Sequence, residues 1–309
     1  MINVLFAARS ESWEAYREAL PAAFDEAGLS VDLRRDFAPE EVDYIVYAPN
    51  SGLKDFRPYT RTKAVLNLWA GVEDVVHNVT LTQPLCRMVE DGLTEGMVEW
   101  VTGHVLRHHL GIDGFLARQD GTWRQDVPPL ARDRRVAVLG LGELGAACAR
   151  SLARLNFRVA GWSRTPKRIE GVACRDGETG LRETLEGAEI VVLLLPLTPA
   201  TESLVNAERL AWLAPGAALL NPGRGALIDD AALLVALDAG HLGHATLDVF
   251  RTEPLPPGNP FWAHPKVTVT PHVASATRPR TASRSIAENV RRGEAGLPFV
   301  NVVDRRRAY

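Results

Sequence analysis

The chain is poor in cysteine, nearly balanced in charge and free of long apolar runs. Its 309 residues include only three cysteines, Cys86, Cys148 and Cys174. Their odd number and wide spacing argue against a disulfide framework or a cysteine metal site, so we expect buried thiols in a reducing, cytoplasmic compartment and no metal. The net charge of −3 argues against a nucleic-acid binder, since proteins that neutralise phosphates are basic.

No segment reaches the roughly 18 consecutive apolar residues that a membrane-spanning helix needs. The N-terminal residues 1–7 lack the basic start of a secretory signal and are typical of a first β-strand. We therefore expect neither a membrane contact nor a signal peptide. Tandem repeats and low-complexity segments are also missing. The remaining composition, 46% hydrophobic, is that of a globular protein long enough for two domains.

Strand and helix patterns alternate along the chain, which predicts an α/β fold with parallel sheets. In the first part, the predicted strands are 2–8, 31–33, 44–47, 64–69 and 85–89. The predicted helices are 12–27 and 94–110, the second with Thr94 as its N-cap. Residues 111–133 are predicted to be irregular, and a segment of that length is often functional or lies at an interface.

The second part repeats the alternation. Its predicted strands are 135–139, 157–162, 189–196, 217–220, 246–250 and 267–270. Its predicted helices are the segment after Gly145, 207–213, 229–239 and 277–294. Short apolar strands of this kind are typical of sheets that are covered on both faces.

A glycine-rich turn follows the predicted strand 135–139. Gly140, Gly142 and Gly145 stand in the frame G-x-G-x-x-G, with helix-favouring residues after them. In dinucleotide-binding units these glycines allow a tight turn, a close approach of backbone to a pyrophosphate, and close packing of helix on strand. The helix start also offers N–H groups to phosphates. An ordinary strand-to-helix turn is the alternative.

No carboxylate follows the next predicted strand, 157–162. NAD-binding units usually carry an acidic residue there, which binds the ribose 2′-OH. This chain instead has Ser163, Arg164, Thr165 and Lys167, which can donate hydrogen bonds to a phosphate and neutralise its charge. The segment favours NADP(H), with NAD(H) as the second option. A solvated basic loop is the alternative.

Three later segments place polar side chains at predicted strand ends, where open α/β sheets bind ligands. Arg224 lies in a glycine turn, Glu253 follows the strand 246–250, and His272 comes just after the last strand. Arginine can bind a carboxylate through two hydrogen bonds, and histidine exchanges protons near neutral pH. A neighbouring carboxylate favours protonated histidine. Taken singly, each residue has a simpler interpretation that is favoured over a functional one: Arg224 as a surface loop charge, Glu253 as a solvated loop residue and His272 as a hydrogen-bonded histidine at a strand end.

Together these segments resemble the D-isomer-specific 2-hydroxyacid dehydrogenases over essentially the whole chain, and most of all the A-type glyoxylate/hydroxypyruvate reductases. The family resemblance lies in 140–145, 221–225, 247–255 and 270–272. The closer likeness lies in 162–165, 253–257, 262–265, 267–273, 277–279 and 303–309.

The resemblance implies two Rossmann-like domains with parallel sheets, in which a cofactor domain is inserted into a discontinuous flavodoxin-like substrate domain. The substrate domain would comprise 1–98 and 278–309, and the cofactor domain 99–277 with a dimerisation arm at about 111–133. The implied function is NADPH-dependent reduction of small 2-keto acids, such as glyoxylate and hydroxypyruvate, by a homodimer.

The resemblance also implies roles for individual residues. His272 would protonate the carbonyl oxygen, Glu253 would keep His272 protonated, and Arg224 would hold the substrate carboxylate. Asp248 would contact the nicotinamide amide. The further residues implied at the cofactor are Gly140, Leu141, Gly142, Glu143, Leu144, Gly145, Ser163, Arg164, Thr165, Lys167, Leu195, Pro196, Pro222, Gly223, His272 and Ala274. The further residues implied at the substrate are Trp69, Ala70, Gly71, Val72 and Trp262.

Trp69 departs from the family pattern, which has a small residue beside the carboxylate-binding loop. As a large apolar side chain it is expected in the core, and alternatively it narrows the substrate pocket. The turn at Pro222 and Gly223 also differs from commoner versions, although the Arg-Gly core is intact. Two other functions compete with the reductase, a cofactor-sensing interaction protein and a phosphoglycerate-type dehydrogenase. The intact Arg224, Glu253 and His272 argue against the first, and the lack of a regulatory domain and of an extra basic cluster argues against the second.

Overall fold

The structure is a computed structural model that describes residues 1–305, and the part of the resemblance at 306–309 lies outside the described residues. The chain divides into two compact units. The first unit combines Met1–Leu93 with the chain from Ala276 onward, and the second is Thr94–Ser275. The second unit is thus inserted into the first. The joints lie a few residues before the predicted ones at 98/99 and 277/278.

The first unit contains a five-stranded sheet. Its strands are β1 (Ile2–Ala7), β2 (Val31–Arg34), β3 (Tyr44–Tyr47), β4 (Ala64–Asn67) and β5 (Leu85–Cys86). They are ordered β2-β1-β3-β4-β5, and every neighbouring pair is parallel. Separate apolar clusters cover the two faces, one around Phe6 and Tyr44, the other around Ile45 and Phe56. This order confirms the flavodoxin-like prediction.

The second unit contains a seven-stranded sheet. Its strands are β6 (Arg135–Leu139), β7 (Arg158–Trp162), β8 (Val172–Arg175), β9 (Ile190–Leu193), β10 (Ala217–Asn221), β11 (Leu242–Leu247) and β12 (Val267–Val269). The order is β12-β11-β10-β9-β6-β7-β8, again with parallel neighbours. The strand order reverses at β6, so a crevice is expected beyond the carboxyl ends of β6 and β9.

Helices cover both sheets. They are α1 (Ser10–Tyr16), α2 (Ala19–Glu26), α3 (Asp91–His109), α4 (Ile112–Ala117), α5 (Glu143–Arg154), α6 (Gly177–Leu185), α7 (Ala207–Ala211), α8 (Asp230–Asp238) and α9 (Pro279–Glu294). Short 3₁₀ turns lie at Pro39–Glu41, Ala131–Asp133, Gly225–Leu227 and Pro260–Trp262. The α/β class and the parallel sheets are confirmed.

Two helix predictions were wrong in detail. The segment 12–27 forms two helices, because α1 ends at Tyr16 and α2 starts at Ala19 after a two-residue turn. The apolar spacing continues across this turn, so periodicity alone could not locate it. The helix predicted to start at Thr94 starts at Asp91, where the Glu90 carboxylate accepts the N–H groups of Gly92 and Leu93, both at 2.7 Å.

Three regular elements, β8, α6 and α4, were missed. β8 is an edge strand with alternating half-buried and exposed residues, so it lacks the apolar run expected of a covered strand, and α6 follows it directly. The segment 111–133 is partly helical, because α4 and the 3₁₀ turn Ala131–Asp133 lie within it. Strand 189–196 was predicted too long, since β9 ends at Leu193 and the next residues lie beyond the sheet.

Two properties expected from composition can be compared with the structure. None of the helices in the described part of the chain is long and apolar enough to span a membrane. All three cysteines are free thiols; Cys86 and Cys148 are buried as expected, whereas Cys174 on the edge strand β8 is partly exposed.

Candidate active site

The glycine turn joins β6 to α5 and depends on glycine at two positions. Gly140 has a φ of +104°, and a Cβ there would collide with the Leu194 carbonyl. A Cβ at Gly145 would collide with the Gly140 carbonyl, so the first turn of α5 presses directly on the strand end. A side chain at Gly140 would push the turn away from the segment after β9, and one at Gly145 would push α5 away from the turn.

Gly142 differs from the other two glycines, because a Cβ there would meet no atom within 4 Å. The space beside it is open, as a close approach of phosphates requires. α5 starts at Glu143, and its first helical hydrogen bond runs from Ala146 N–H to Gly142 O. The N–H groups of Glu143 and Leu144 therefore lie in the first turn, where a helix offers donors to anions.

Leu141, predicted at the cofactor, has its side chain in the core. It is 2% exposed and packs over Gly161 of β7, where a Cβ would lie 2.7 Å from a Leu141 methyl carbon. Only the backbone of Leu141 is available to a ligand. The side chain instead fixes the distance between the glycine turn and the end of β7.

The end of β7 carries the predicted phosphate-binding residues. Arg164, Thr165 and Lys167 are exposed, whereas Ser163 is 7% exposed. The Ser163 hydroxyl donates its single hydrogen to the Thr165 carbonyl at 2.7 Å, and the Ser163 N–H donates to Arg175 O. Ser163 thus shapes the loop, and its donation to a phosphate stays a prediction. The exposed basic residues remain as candidates, with no carboxylate among 163–167.

The ends of β9 and β10 form a second wall of this crevice. Leu195 is buried and Pro196 half-buried, just beyond β9. Pro222 and Gly223 follow β10 and are both buried. A Cβ at Gly223 would come within 2.8 Å of the Leu193 carbonyl, so the turn after β10 lies tightly against the end of β9.

Arg224 is presented by a turn that the buried Asn221 organises. The Asn221 amide donates to Arg224 O at 2.9 Å, and its oxygen accepts Gly223 N–H at 3.1 Å. Arg224 Nη1 donates to Gly223 O at 2.7 Å, and the side chain is half-buried. A Cβ at Gly225 would collide with the backbone of Phe250, which places the Arg224 turn directly against the segment after β11.

Glu253 and His272 form a hydrogen-bonded pair. Nδ1 of His272 lies 2.7 Å from Oε2 of Glu253, and Oε1 of the same carboxylate accepts Phe250 N–H at 2.8 Å. Both oxygens of the carboxylate are therefore used to orient the imidazole. The His272 side chain is 53% exposed, so its ring is accessible to a ligand.

Asp248, predicted at the nicotinamide, is 0% exposed. Its Oδ1 accepts the Thr270 hydroxyl at 2.5 Å and Val273 N–H at 2.9 Å, and Oδ2 accepts Ala274 N–H at 2.9 Å. The inaccessible carboxylate is occupied by the His272 loop, which does not support the predicted contact with a cofactor. Ala274 is likewise 4% exposed.

Three half-buried histidines, His104 and His108 of α3 and His244 of β11, lie close together. Burial, together with the neighbouring His244 and Arg107, lowers the pKa of His108 to about 3. His108 Nε2 lies 2.9 Å from the Thr246 hydroxyl, and the His108 and His244 rings are 5.1 Å apart. Burial also lowers the pKa of His104 and of His244. Sequence reasoning did not single out these neutral histidines, since their partners are far apart in the chain.

The substrate candidates of the first unit lie in the loop after β4. The buried Asn67 holds this loop, because its amide donates to Trp69 O at 2.9 Å and to Gly71 O at 3.0 Å. Trp69 is 38% exposed, so the expectation that it lies in the core was wrong. Val72 is buried, which leaves its backbone alone for a ligand. Ala70 is partly exposed.

Trp262 lies in the second unit and is 51% exposed. Its indole N–H donates to Pro256 O at 3.1 Å, which ties the 3₁₀ turn Pro260–Trp262 to the segment after Glu253. The second unit therefore contains Arg224, Glu253, His272 and all predicted cofactor residues. Trp69 and the loop behind it belong to the first. In the described part of the chain, no group of three or more His, Cys, Asp or Glu could hold a metal ion.

Comparison with known proteins gives concordant matches. The family model described as D-isomer specific 2-hydroxyacid dehydrogenase, NAD binding domain, matches residues 103–274. The chain is 40% identical over 252 residues to glyoxylate/hydroxypyruvate reductase A of Serratia proteamaculans (strain 568), a match that covers 79% of this chain and 80% of that protein.

Two solved structures are similar over nearly their full lengths. One is a D-isomer specific 2-hydroxyacid dehydrogenase from Xanthobacter autotrophicus Py2 in complex with NADPH and MES, with 45% identity and a TM-score of 0.92. The match covers 100% of this chain and 99% of that one. The other is an NADPH-dependent glyoxylate/hydroxypyruvate reductase from Sinorhizobium meliloti in complex with NADP and sulfate, with 35% identity, a TM-score of 0.84 and 100% coverage of both chains.

Proposed function

Because the chain belongs to the D-isomer specific 2-hydroxyacid dehydrogenase family, we propose that it reduces small 2-keto acids to 2-hydroxy acids with NADPH. The relatives named as glyoxylate/hydroxypyruvate reductases support glyoxylate and hydroxypyruvate as substrates. The observation that carries the proposal is the 2.7 Å pair of Glu253 and His272 beside the turn that presents Arg224. A proton donor next to a carboxylate-binding cation is what this reduction needs.

The residues around the glycine turn fit a phosphorylated dinucleotide. The open space at Gly142 and the first-turn N–H groups of α5 suit a pyrophosphate. The exposed Arg164 and Lys167 suit a 2′-phosphate, because they bring positive charge where an NAD-binding unit would have a carboxylate. The NADPH- and NADP-bound neighbours support the same preference, with NAD(H) as the weaker cofactor.

We assign the chemistry to three side chains. Arg224 binds the substrate carboxylate and orients the keto group through charge-assisted hydrogen bonds. His272 uses Nδ1 for Glu253, so Nε2 is the nitrogen that donates a proton to the keto oxygen. Glu253 stabilises the protonated imidazole and fixes its orientation. The bound nicotinamide cofactor supplies the hydride.

The other substrate assignments remain predictions. We propose that the backbone of Ala70, Gly71 and Val72 supplies further donors to the carboxylate, since Asn67 already accounts for the carbonyls of Trp69 and Gly71. The exposed Trp69 and Trp262 are proposed to limit the size of the substrate side chain.

We also propose that the protein is a cytoplasmic homodimer. The segment after α3 carries an unusual run of exposed apolar side chains, including Leu116 at 61%, Trp123 at 89% and Val127 at 87% exposed. Apolar surface of this extent is typical of a surface that another chain covers. The free thiols Cys86 and Cys148 support a reducing compartment.

Steady-state kinetics with a panel of 2-keto acids, each with NADPH and with NADH, tests the function. We expect turnover of glyoxylate and hydroxypyruvate and a higher kcat/KM with NADPH. A clear preference for NADH would contradict the interpretation of 163–167. Tight NADPH binding without turnover of any 2-keto acid would favour the cofactor-sensing alternative, and turnover confined to a phosphorylated keto acid would favour the phosphoglycerate-type alternative.

A further inference from the structure

We infer that Asn221 and Asp248, two fully buried residues at the ends of neighbouring strands, are the positioning residues for Arg224 and His272. This inference rests on the proposed reduction of 2-keto acids. Both side chains are 0% exposed, and neither can touch a substrate. Each forms hydrogen bonds with the backbone of the loop that presents one reactive side chain.

Asn221 closes the Arg224 turn from both sides. Its amide donates to Arg224 O, and its oxygen accepts Gly223 N–H. These two hydrogen bonds hold the main chain on both sides of the peptide bond between Gly223 and Arg224. Asn221 is the last residue of β10, whose register is set by pairing with β9 and β11. The arginine is therefore tied through one short turn to the rigid sheet.

Asp248 accepts four hydrogen bonds from the His272 loop. Its side chain accepts from the Thr270 hydroxyl and from the N–H groups of Val273 and Ala274. Its main-chain oxygen accepts His272 N–H at 2.8 Å. Four donors within five residues thus converge on one residue, on both sides of the catalytic imidazole.

The His272 backbone needs such support. Its φ of 55° lies in the left-handed region, which is unfavourable for a non-glycine residue and persists only where the surrounding structure imposes it. Burying a carboxylate is also costly, and hydrogen bonds to this loop are what compensate it at Asp248. An apolar residue could fill the same space, so the carboxylate is best explained by the loop geometry that it enforces.

The two anchors are also connected to each other. Asp248 N–H donates to Asn221 O at 3.1 Å, which continues the pairing of β10 with β11 past Leu247. The Arg224 turn and the His272 loop therefore share one base at the end of the sheet. A shift of either anchor by a fraction of an ångström would change the spacing of the carboxylate-binding and proton-donating groups.

Two isosteric variants with matched controls test the inference. Asp248→Asn leaves one acceptor oxygen for three donors, and Asn221→Asp removes the donor to Arg224 O. Each control makes the same change at a helix N-cap of the same unit: Asp229→Asn at α8 and Asn206→Asp at α7. Asn221→Ser, which is uncharged, replaces Asn221→Asp where the buried charge prevents folding.

With glyoxylate and saturating NADPH, we expect Asp248→Asn to lower kcat about 10- to 100-fold with little change in KM, because misplacing a reactive group by about 1 Å costs about 100-fold. Asn221→Asp is expected to raise the KM for glyoxylate at least about tenfold, since Arg224 binds the carboxylate. Thr270→Val should resemble Asp248→Asn, and Thr270→Ser should restore wild-type rates. The controls keep an N-cap oxygen and should leave the kinetics within about twofold.

Hydrogen exchange of peptides covering 270–275 gives a readout that does not depend on activity. Exchange should accelerate in Asp248→Asn and Thr270→Val, but not in Asp229→Asn. Wild-type kinetics or unchanged exchange in Asp248→Asn would overturn the inference. It would also be overturned if Asp248→Asn weakened NADPH binding tenfold with kcat unchanged at saturation, the pattern of a nicotinamide contact. A wild type without turnover would instead defeat the proposed function, and the exchange result would still decide the loop anchoring.

Discussion

His272 Nδ1 lies 2.7 Å from Glu253 Oε2, while the other oxygen of that carboxylate is held by Phe250 N–H. The carboxylate is therefore immobilised before it orients the imidazole. Nδ1 is occupied by the hydrogen bond with Glu253. Nε2 is therefore the ring nitrogen that we propose as the proton donor. Glu253 and His272 are 19 positions apart in the chain. They meet because Glu253 follows β11, His272 follows β12, and these two strands pair in parallel.

His272→Ala should reduce kcat with glyoxylate by about 10²- to 10⁴-fold, the usual contribution of a general acid. Glu253→Gln should cost less, because glutamine can still accept the hydrogen bond but carries no charge. Stopped-flow or steady-state rates at saturating NADPH measure both effects. His77→Ala, at an exposed histidine of the first unit, serves as the control and should be neutral. Near-wild-type turnover of His272→Ala would refute the mechanism.

Arg224→Ala should lower kcat/KM for glyoxylate by roughly 10- to 100-fold, the value of one or two charge-assisted hydrogen bonds. Arg224→Lys should recover part of this, since it keeps the charge but not the planar pair of donors. The measurement is the full dependence of rate on glyoxylate concentration. An effect confined to NADPH affinity would place Arg224 at the cofactor instead.

Lys167→Ala should raise the KM for NADPH about two- to fivefold and leave the KM for NADH unchanged, since an exposed ion pair contributes at most about 1 kcal/mol. Combining it with Arg164→Ala should add to the effect. Arg154→Ala, an exposed arginine at the far end of α5, controls for a general loss of positive charge. Equal losses with both cofactors would mean that these residues do not recognise a 2′-phosphate.

Acid should destabilise the protein through its half-buried histidines. The folded-state pKa of His108 is about 3, against an ordinary 6.5, so between these values the unfolded chain binds a proton that the folded chain refuses. The contribution of His108 is thus intact above pH 6.5 and is lost as the pH falls toward 3, with a slope of up to about 1.4 kcal/mol per pH unit.

Urea unfolding at pH 7.5 and 5.5 measures this loss. His108→Gln, which can still bond to Thr246, should lose about 1 kcal/mol less than the wild type over that interval. His77→Gln should follow the wild-type dependence, because His77 is exposed. Identical pH dependence for His108→Gln and the wild type would show that His108 is not kept neutral by burial.

The apolar segment after α3 should hold two chains together. Light scattering of the wild type is expected to give twice the mass of one chain, and Leu116→Asp combined with Trp123→Ser should shift it toward one. Val79→Asp, a charge at another highly exposed apolar residue, should leave the mass unchanged. A wild-type protein of single-chain mass at micromolar concentration would refute the proposed homodimer.

Much of the fold could be predicted from local patterns. Apolar runs located most strands of both sheets, because a strand covered on two faces needs apolar side chains on both. β8 was missed because it is an edge strand that is only partly covered, so it lacks a continuous apolar run. The turn inside 12–27 escaped because two consecutive helices kept the same apolar spacing.

The candidate site could be predicted only where a residue type reveals its task. Gly140 and Gly145 could be recognised from the sequence because close packing at these positions excludes any Cβ and so requires glycine. Arg224, Glu253 and His272 could be placed at strand ends. Trp69 was expected in the core because it is large and apolar. The sequence does not show which way a side chain points in a loop, and only the folded loop shows that Trp69 is exposed.

By itself, the sequence determined the α/β class, the glycine turn, the missing carboxylate after β7 and the three polar strand ends, because each is a local property. The tertiary structure alone decided which of these groups meet. Glu253 reaches His272, and Asp248 holds residues 22 to 26 positions later, only because parallel strands bring their carboxyl ends to one edge. Asn221 was not singled out in the sequence, and Asp248 was expected only at the nicotinamide, because the loops that they hold become their neighbours only on folding.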